Sequence, residues 1–211
     1  MPRKKQTKKQ EVQNKKIEIL VTTLCFLFLF VLILVILGNI KSLDTIIYEG
    51  IKKCSFLKDY FIFITKFGNT EVILLVLFFF FLLLSRKHAL IIWISAILSV
   101  GSNTLVKHIV RRPRPVVERL VTESGYSFPS GHTMIAIAVY GYLFYLAHTM
   151  IKIKWLRITI EILLGILIIS IMLSRIYVGV HYFTDILGGI FLESAIIISL
   201  ITISNKYKLF E

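Results

Sequence analysis

An all-α membrane protein, a bundle of six transmembrane helices, is the fold class that this sequence predicts. Three observations predict it. The 211 residues are 56% hydrophobic and have a mean hydropathy of +0.80, well above that of a soluble domain. Six apolar runs, 19–37, 70–84, 90–106, 134–151, 158–173 and 186–203, approach the roughly 20 residues that a bilayer core requires. The 25 lysines and arginines lie almost wholly between those runs, where cations fix orientation against anionic lipid.

The runs divide the chain into a basic tail at 1–18, a membrane domain at 19–203 and a short tail at 204–211. The first run follows MPRKKQTKKQ and resembles a signal peptide in its flank only. It exceeds the 7–15 residues of a signal h-region and ends LGNIKSLD, without a small-residue cleavage site, so it reads as a retained anchor. The second run is short and takes in Phe67 and its neighbours to span. Between these two, residues 39–69 mix Lys52, Lys53 and Lys58 with Ile46, Ile47, Ile51, Phe56 and Leu57, the pattern of an amphipathic segment on the membrane surface or of a plain connector.

Orientation follows from the charges. With the N-terminus inside, the inner segments carry 14 Lys and Arg and the outer ones 11, and the first tail alone holds seven. Both termini are therefore expected in the cytoplasm. The net charge of +13 does not point to nucleic acid, because it is spread over span-flanking segments instead of forming one patch. Cys25 lies within the first run and Cys54 in a loop, and no CxxC pattern marks a metal or redox site.

Loops that follow odd-numbered spans share one side of the membrane, and that side receives three unusual stretches. KHIVRRPRP places Lys107 seven residues before Arg114; FPSGHT puts Ser130, Gly131 and His132 where the fourth span begins; SRIYVGVHYFTD contains Arg175, His181 and Asp185. A lysine and two arginines converging on one point suit a multiply charged anion, above all a phosphoryl group, whose oxygens match the guanidinium fork. PSGH at a helix start aims backbone N–H groups at the same anion. His181 and Asp185 are four apart and are expected on one helical face, where the carboxylate would fix the tautomer of a nucleophilic imidazole. Arg175 is six residues from His181, and a tight turn at Gly179 would fold it back over the ring. Phosphoryl transfer to a histidine at the membrane surface is the chemistry these residues suggest.

The pattern K-x6-R-P, P-S-G-H, S-R-x5-H-x3-D resembles the signature of the type 2 phosphatidic acid phosphatase family, with Lys107, Arg114 and Pro115, then Pro129 to His132, then Ser174, Arg175, His181 and Asp185 in order and at the family spacing. The motif loops are 107–132 and 174–185. The resemblance implies an integral membrane lipid phosphatase in which His181 attacks phosphorus, His132 is the acid and base, and Asp185 orients His181. Lys107, Arg114, Arg175, the Ser130 hydroxyl and the Gly131 amide would bind the phosphoryl group. It implies no metal or other cofactor, and as partners a membrane lipid phosphate in the bilayer, with no nucleic acid and no obligate protein. Undecaprenyl diphosphate, phosphatidylglycerophosphate and phosphatidic acid are the substrates that fit. The expected location is the cell membrane, with the site at the outer face. A fold-mate that binds or transports lipid without catalysis is the alternative, and a vanadate-dependent haloperoxidase is disfavoured by the six spans.

The remaining polar residues have plainer readings. Arg86, Lys87, Lys152, Lys154, Arg157, Lys206 and Lys208 are interfacial anchors, as are His88 and His148, and Glu161 reaches the interface from a helix end. Arg111 and Arg112 sit beside the phosphate motif but outside its spacing. Gly188 and Gly189 permit close helix packing. Glu193, a carboxylate inside the sixth run, faces the bundle interior, as a packing residue or a functional one.

Overall fold

The computed structural model describes residues 2–207, with side chains described for 11–207. Lys208 and the side chains of Arg3, Lys4, Lys5, Lys8 and Lys9 therefore lie outside the described residues. The elements are helical throughout the described residues: α1 (Pro2–Leu37), α2 (Lys41–Lys52), α3 (Lys58–Ile64), α4 (Thr70–Leu83), α5 (Arg86–Val110), α6 (Gly131–Ala136), α7 (Tyr142–Met150), α8 (Lys154–Tyr177) and α9 (Phe183–Lys206). A π-helical turn at Ile137–Gly141 joins α6 to α7, so the two form one span, Gly131–Met150. Five helices among the described residues are long and apolar enough to cross a membrane, or six if one bent pair counts as a span. This is a multi-pass membrane protein.

The bent pair departs from the expected second span. Ser55–Gly68 and Thr70–Leu83 meet at a 55° bend instead of continuing through Phe67. The break falls at Asn69, whose extended backbone (φ −73°, ψ 150°) interrupts the helix. Packing at the break accounts for the small residue before it: a Cβ on Gly68 would lie 2.4 Å from the His132 ring.

The main core lies where α4, α5, the α6–α7 span, α8 and α9 meet, around Leu77, Ile92, Ala136, Val139, Tyr142 and Ile171. Each contributes one apolar stripe and leaves the opposite face, rich in Phe, Ile and Leu, for the hydrocarbon. The first helix runs along α9, and its Phe28 stacks on Phe128 beneath the PSGH stretch. Residues 39–69 do more than lie on a surface. Helix α2 packs Ile47, Tyr48 and Ile51 against the ends of α8 and α9 while Ile46 stays exposed, and Asp44 on its inner side is only 2% exposed.

Several plainer readings hold. A Cβ on Gly188 would meet the Phe128 ring at 2.5 Å and one on Gly189 would meet Thr133 at 3.1 Å, so both serve close packing, here against the motif loop. Glu161 pairs with His148 (3.0 Å) and Arg157 (3.8 Å) away from the site. Glu193 is fully enclosed and faces Ser99 of α5 without a well-formed hydrogen bond. His88 is less interfacial than expected: its Nδ1 lies 2.8 Å from the Tyr142 hydroxyl, at the core.

Candidate functional site

Three segments converge at one end of the bundle: 53–69, which carries α3, and the loops 111–130 and 178–182. The turn after α8 brings the third into place. Gly179 takes φ +77°, and a Cβ there would lie 2.6 Å from the Glu118 carbonyl, so the left-handed turn and the close approach both require glycine. The turn folds the chain so that the Val180 and His181 amides both donate to the Arg175 carbonyl at 3.2 Å. The turn thus joins the backbone at Arg175 to that at His181 despite their six-residue separation, and the guanidinium is near enough to act on the ring electrostatically.

His181 is 3% exposed and lies just before α9. Its Nδ1–H donates to Asp185 Oδ2 (3.2 Å), and Arg114 Nη1 lies 3.3 Å from Nε2. The pairing does not arise from a shared helical face. Asp185 is in the first turn of α9, and its Oδ2 also accepts the N–H of Tyr182, the residue preceding the helix (2.9 Å). One carboxylate oxygen caps the helix and orients the ring together. Burial holds the His181 pKa well below its usual value, and the charges of Arg175, Arg114 and Lys107 push it the same way. The ring is thus kept neutral, with the nitrogen remote from Asp185 turned towards the cations.

Those cations are largely buried. Arg114 is 6% exposed and donates to the carbonyls of Gly125 (3.2 Å), Ser124 (2.8 Å) and Val180 (2.9 Å), which leaves its fork braced by the backbone. Arg175, 1% exposed, donates to Thr65 Oγ1 (2.6 Å) and to Glu123; its Nε–H has no acceptor among the described residues. Lys107, half-buried in the last turn of α5, is near enough to Arg114, Arg175, Glu123 and Asp185 to interact with each electrostatically.

The PSGH stretch closes the ring. Ser130 is fully buried and caps α6, its Oγ accepting from the Thr133 amide (3.4 Å) and hydroxyl (3.1 Å), while its own N–H donates to the Asp185 carbonyl (3.0 Å). The Ser130 hydroxyl hydrogen remains available to an anion. Gly131 opens the helix and packs on Asn103, where a Cβ would come within 3.2 Å of Oδ1. Nε2 of His132 lies 3.0 Å from Asn69 Oδ1 and Nδ1 lies 3.9 Å from Glu123 Oε1. All eight residues expected from the sequence, Lys107, Arg114, Ser130, Gly131, His132, Arg175, His181 and Asp185, are gathered at this end.

Five others join them, four of them unforeseen. Asn69 holds His132, Thr65 holds Arg175, and Glu123 contacts both arginines. Arg112, which had no clear role, bridges Asp185 Oδ1 (2.6 Å) and Asp44 Oδ2 (2.7 Å) and stacks over the Tyr182 ring at 4.0 Å. Asp44 in turn accepts from the amide (3.0 Å) and the hydroxyl of Thr184. Arg111, by contrast, points away, bonded to the His108 carbonyl, and only ends α5 with a left-handed turn (φ 51°).

Below the cations a cleft of about 770 Å³ runs between α4 and α5, from Leu77 and Trp93 past Ile97 and Asn103 to Glu123 and His132. Its walls are mostly apolar, with polar residues gathering towards Asn103, Glu123 and His132, which suits an amphiphile whose charged end reaches the histidines.

Comparison with known proteins agrees with this geometry. The family model described as PAP2 superfamily matches residues 88–209. Phosphatidylglycerophosphatase B of Bacillus subtilis (strain 168) is 39% identical over 89 residues, covering 41% of this chain and 43% of the relative. Undecaprenyl-diphosphatase BcrC of the same strain is 32% identical over 143 residues, covering 64% and 69%. The chain thus spans less than half the length of the first relative. The crystal structure of a transmembrane PAP2 type phosphatidylglycerolphosphate phosphatase from Bacillus subtilis superposes with a TM-score of 0.78 at 25% identity, over 90% of this chain and 98% of that one. Aquifex aeolicus LpxE shares the fold, with a TM-score of 0.62 at 23% identity over 75% and 94%. A family match that takes in more than half of the chain, including all three motif stretches, makes this protein a member of the PAP2 superfamily.

Proposed function

We propose that the chain is a membrane lipid phosphatase that removes the terminal phosphate of a lipid phosphate or diphosphate through a phosphohistidine intermediate. The observation that carries this reading is a buried His181 held by Asp185 on one nitrogen, with Arg114 beside the other. In the first step Nε2 attacks phosphorus and the bond to the leaving oxygen breaks. His132 supplies the proton that the leaving oxygen takes up. Asn69 holds its Nε2, so Nδ1, on the side of the cations, handles that proton. In the second step His132 takes a proton from water, the oxygen attacks phosphorus, the P–N bond breaks and phosphate leaves. Arg114, Arg175 and Lys107, the Ser130 hydroxyl and the Gly131 amide offset the charge on the transferring group. No metal or other cofactor enters this scheme, and no obligate protein partner is required.

The names of the relatives support phosphatidylglycerophosphate and undecaprenyl diphosphate as substrates, and the cleft between α4 and α5 offers room for part of a hydrocarbon chain. Odd-loop parity and the basic first tail support a site at the outer face of the cell membrane. Purified protein assayed against these two lipids and phosphatidic acid tests the activity: phosphate release that His181→Ala abolishes is expected, and release that survives it would contradict the reading. Orientation is tested in intact cells with an impermeant thiol reagent, in a background with Cys25 and Cys54 replaced by serine. Glu118→Cys should be labelled and Lys152→Cys should not; the reverse pattern would overturn the outer-face assignment.

A further inference from the structure

We propose that Glu123 is an internal competitor for the phosphate site, a carboxylate that sits on the phosphate-binding cations and sets the affinity a headgroup must have to displace it. The proposal rests on the phosphatase reading of the site. Glu123 Oε2 lies 3.4 Å from Arg114 Nη2, while Oε1 accepts from Arg175 Nη2 and lies 3.9 Å from His132 Nδ1. Lys107 also feels its charge. Two arginines, the lysine and the proton-handling histidine are the groups that the transferring phosphoryl group needs. The carboxylate and the substrate therefore cannot both use them.

The placement of Glu123 allows it to leave. Its side chain keeps 26% of its surface exposed, whereas those of Arg114 and Arg175 keep 3% and 1%. Its neighbours Thr122, Ser124 and Gly125 are exposed, and open space surrounds Gly125. It also lines the cleft, alongside His132 and Asn103. The buried guanidinium of Arg175 gives the contact its energetic reason, since a desolvated cation without a counter-charge is strongly destabilising. Glu123 supplies that charge, and a substrate phosphate replaces it.

Competition of this kind divides the affinity of every ligand by one factor, the reciprocal of the uncapped fraction. Ratios between ligands do not change, but the threshold rises. A phosphodiester headgroup brings one negative charge, the same as the carboxylate, and is held off even where such lipids form the bulk of the membrane. A phosphomonoester or diphosphate brings more charge and still fills the site. Glu123 thereby sets an affinity threshold that ordinary phospholipids, as weak ligands, do not reach.

The test is calorimetric titration of the purified full-length protein with inorganic phosphate, which reads binding without turnover. Both Glu123→Gln and Glu123→Ala should bind phosphate about tenfold tighter than the wild type, as for a cap closed in about nine molecules of ten. Glu123→Asp keeps the charge but is one methylene too short to span both arginines, so it should fall between. In turnover assays with phosphatidic acid, inhibition by phosphatidylglycerol should strengthen in the same order. Unchanged or weaker phosphate binding in Gln and Ala variants that remain folded would overturn the proposal. Tighter binding in those variants with Glu123→Asp equal to the wild type would also overturn it, because net charge alone would then explain the effect. Tightened binding in a protein that hydrolyses no lipid phosphate would refute the phosphatase reading and leave the displaced-carboxylate contact standing.

Discussion

Asp44→Asn tests whether the surface helix α2 governs the nucleophile. Asp44 touches neither histidine, but its carboxylate holds Arg112 Nη2 at 2.7 Å and the Thr184 amide at 3.0 Å, and Arg112 holds Asp185 Oδ1 at 2.6 Å. Asparagine keeps one oxygen for Thr184 and turns an NH2 group towards the guanidinium. Removing one partner of a buried pair costs about 3–5 kcal/mol when the survivor is stranded. Arg112 is not stranded, since Asp185 remains and its side chain is 11% exposed. The loss should therefore be nearer that of one charge-assisted hydrogen bond, about 2 kcal/mol, lowering the thermal midpoint by about 4–8 °C. Arg112 would then draw on Asp185 alone and pull its carboxylate from the His181 ring. We expect kcat to fall about tenfold, as for the loss of other outer partners that orient a reactive group, with KM little changed. The assay is a phosphate-release series over lipid concentration, beside a thermal melt in the same detergent. Wild-type kcat and midpoint together would refute the coupling. A raised KM with normal kcat would mean that Asp44 acts on headgroup binding instead.

Other expectations follow from the same geometry. Arg175→Lys or Arg114→Lys keeps a charge but loses the fork that reaches several acceptors at once, and turnover should fall about a hundredfold or more, while Arg157→Lys at the far end should be nearly silent; equal effects at all three sites, read as kcat/KM, would mean that only surface charge matters. The attacking form of His181 is neutral and its pKa is depressed by burial and three cations, so the acid limb of the pH profile should lie below pH 6.5. Arg114→Gln removes one repelling charge and should move that limb upward, and a limb that stays in place would argue against Arg114 acting on the ring.

Much of the site was legible because its motifs are local. Lys107 to Pro115, Ser130 to His132 and Arg175 to Asp185 are each short contiguous stretches at helix ends, and parity of the spans sends all three to one side. The i,i+4 spacing of His181 and Asp185 gave the right pair for an incomplete reason, because the carboxylate reaches the ring while capping α9. What spacing could not supply were partners brought in by tertiary packing. Thr65 lies 110 residues from Arg175, and Asp44 lies 140 residues from Thr184. A signal existed for Asp44, an acid in the first turn of an amphipathic segment beside Ile46 and Ile47, but amphipathic pattern alone does not say which protein surface a helix meets. The shortness of the second apolar run likewise hinted at the break that delivers Asn69 to His132, though not at its position. Glu123 carried no signal, because an acid amid cations is common in loops and only the fold shows that it sits on the phosphate ligands.

Acid-quenched labelling with a lipid phosphate carrying radioactive phosphorus tests the central claim most directly. A covalent phosphoenzyme with the acid lability and base stability of phosphohistidine should form on the wild type. None should form on His181→Ala, which lacks the attacking nitrogen. Any label formed on His132→Ala should persist, because the group that activates water is gone, and excess EDTA should leave labelling intact. Label of the same stability retained in His181→Ala would contradict the account.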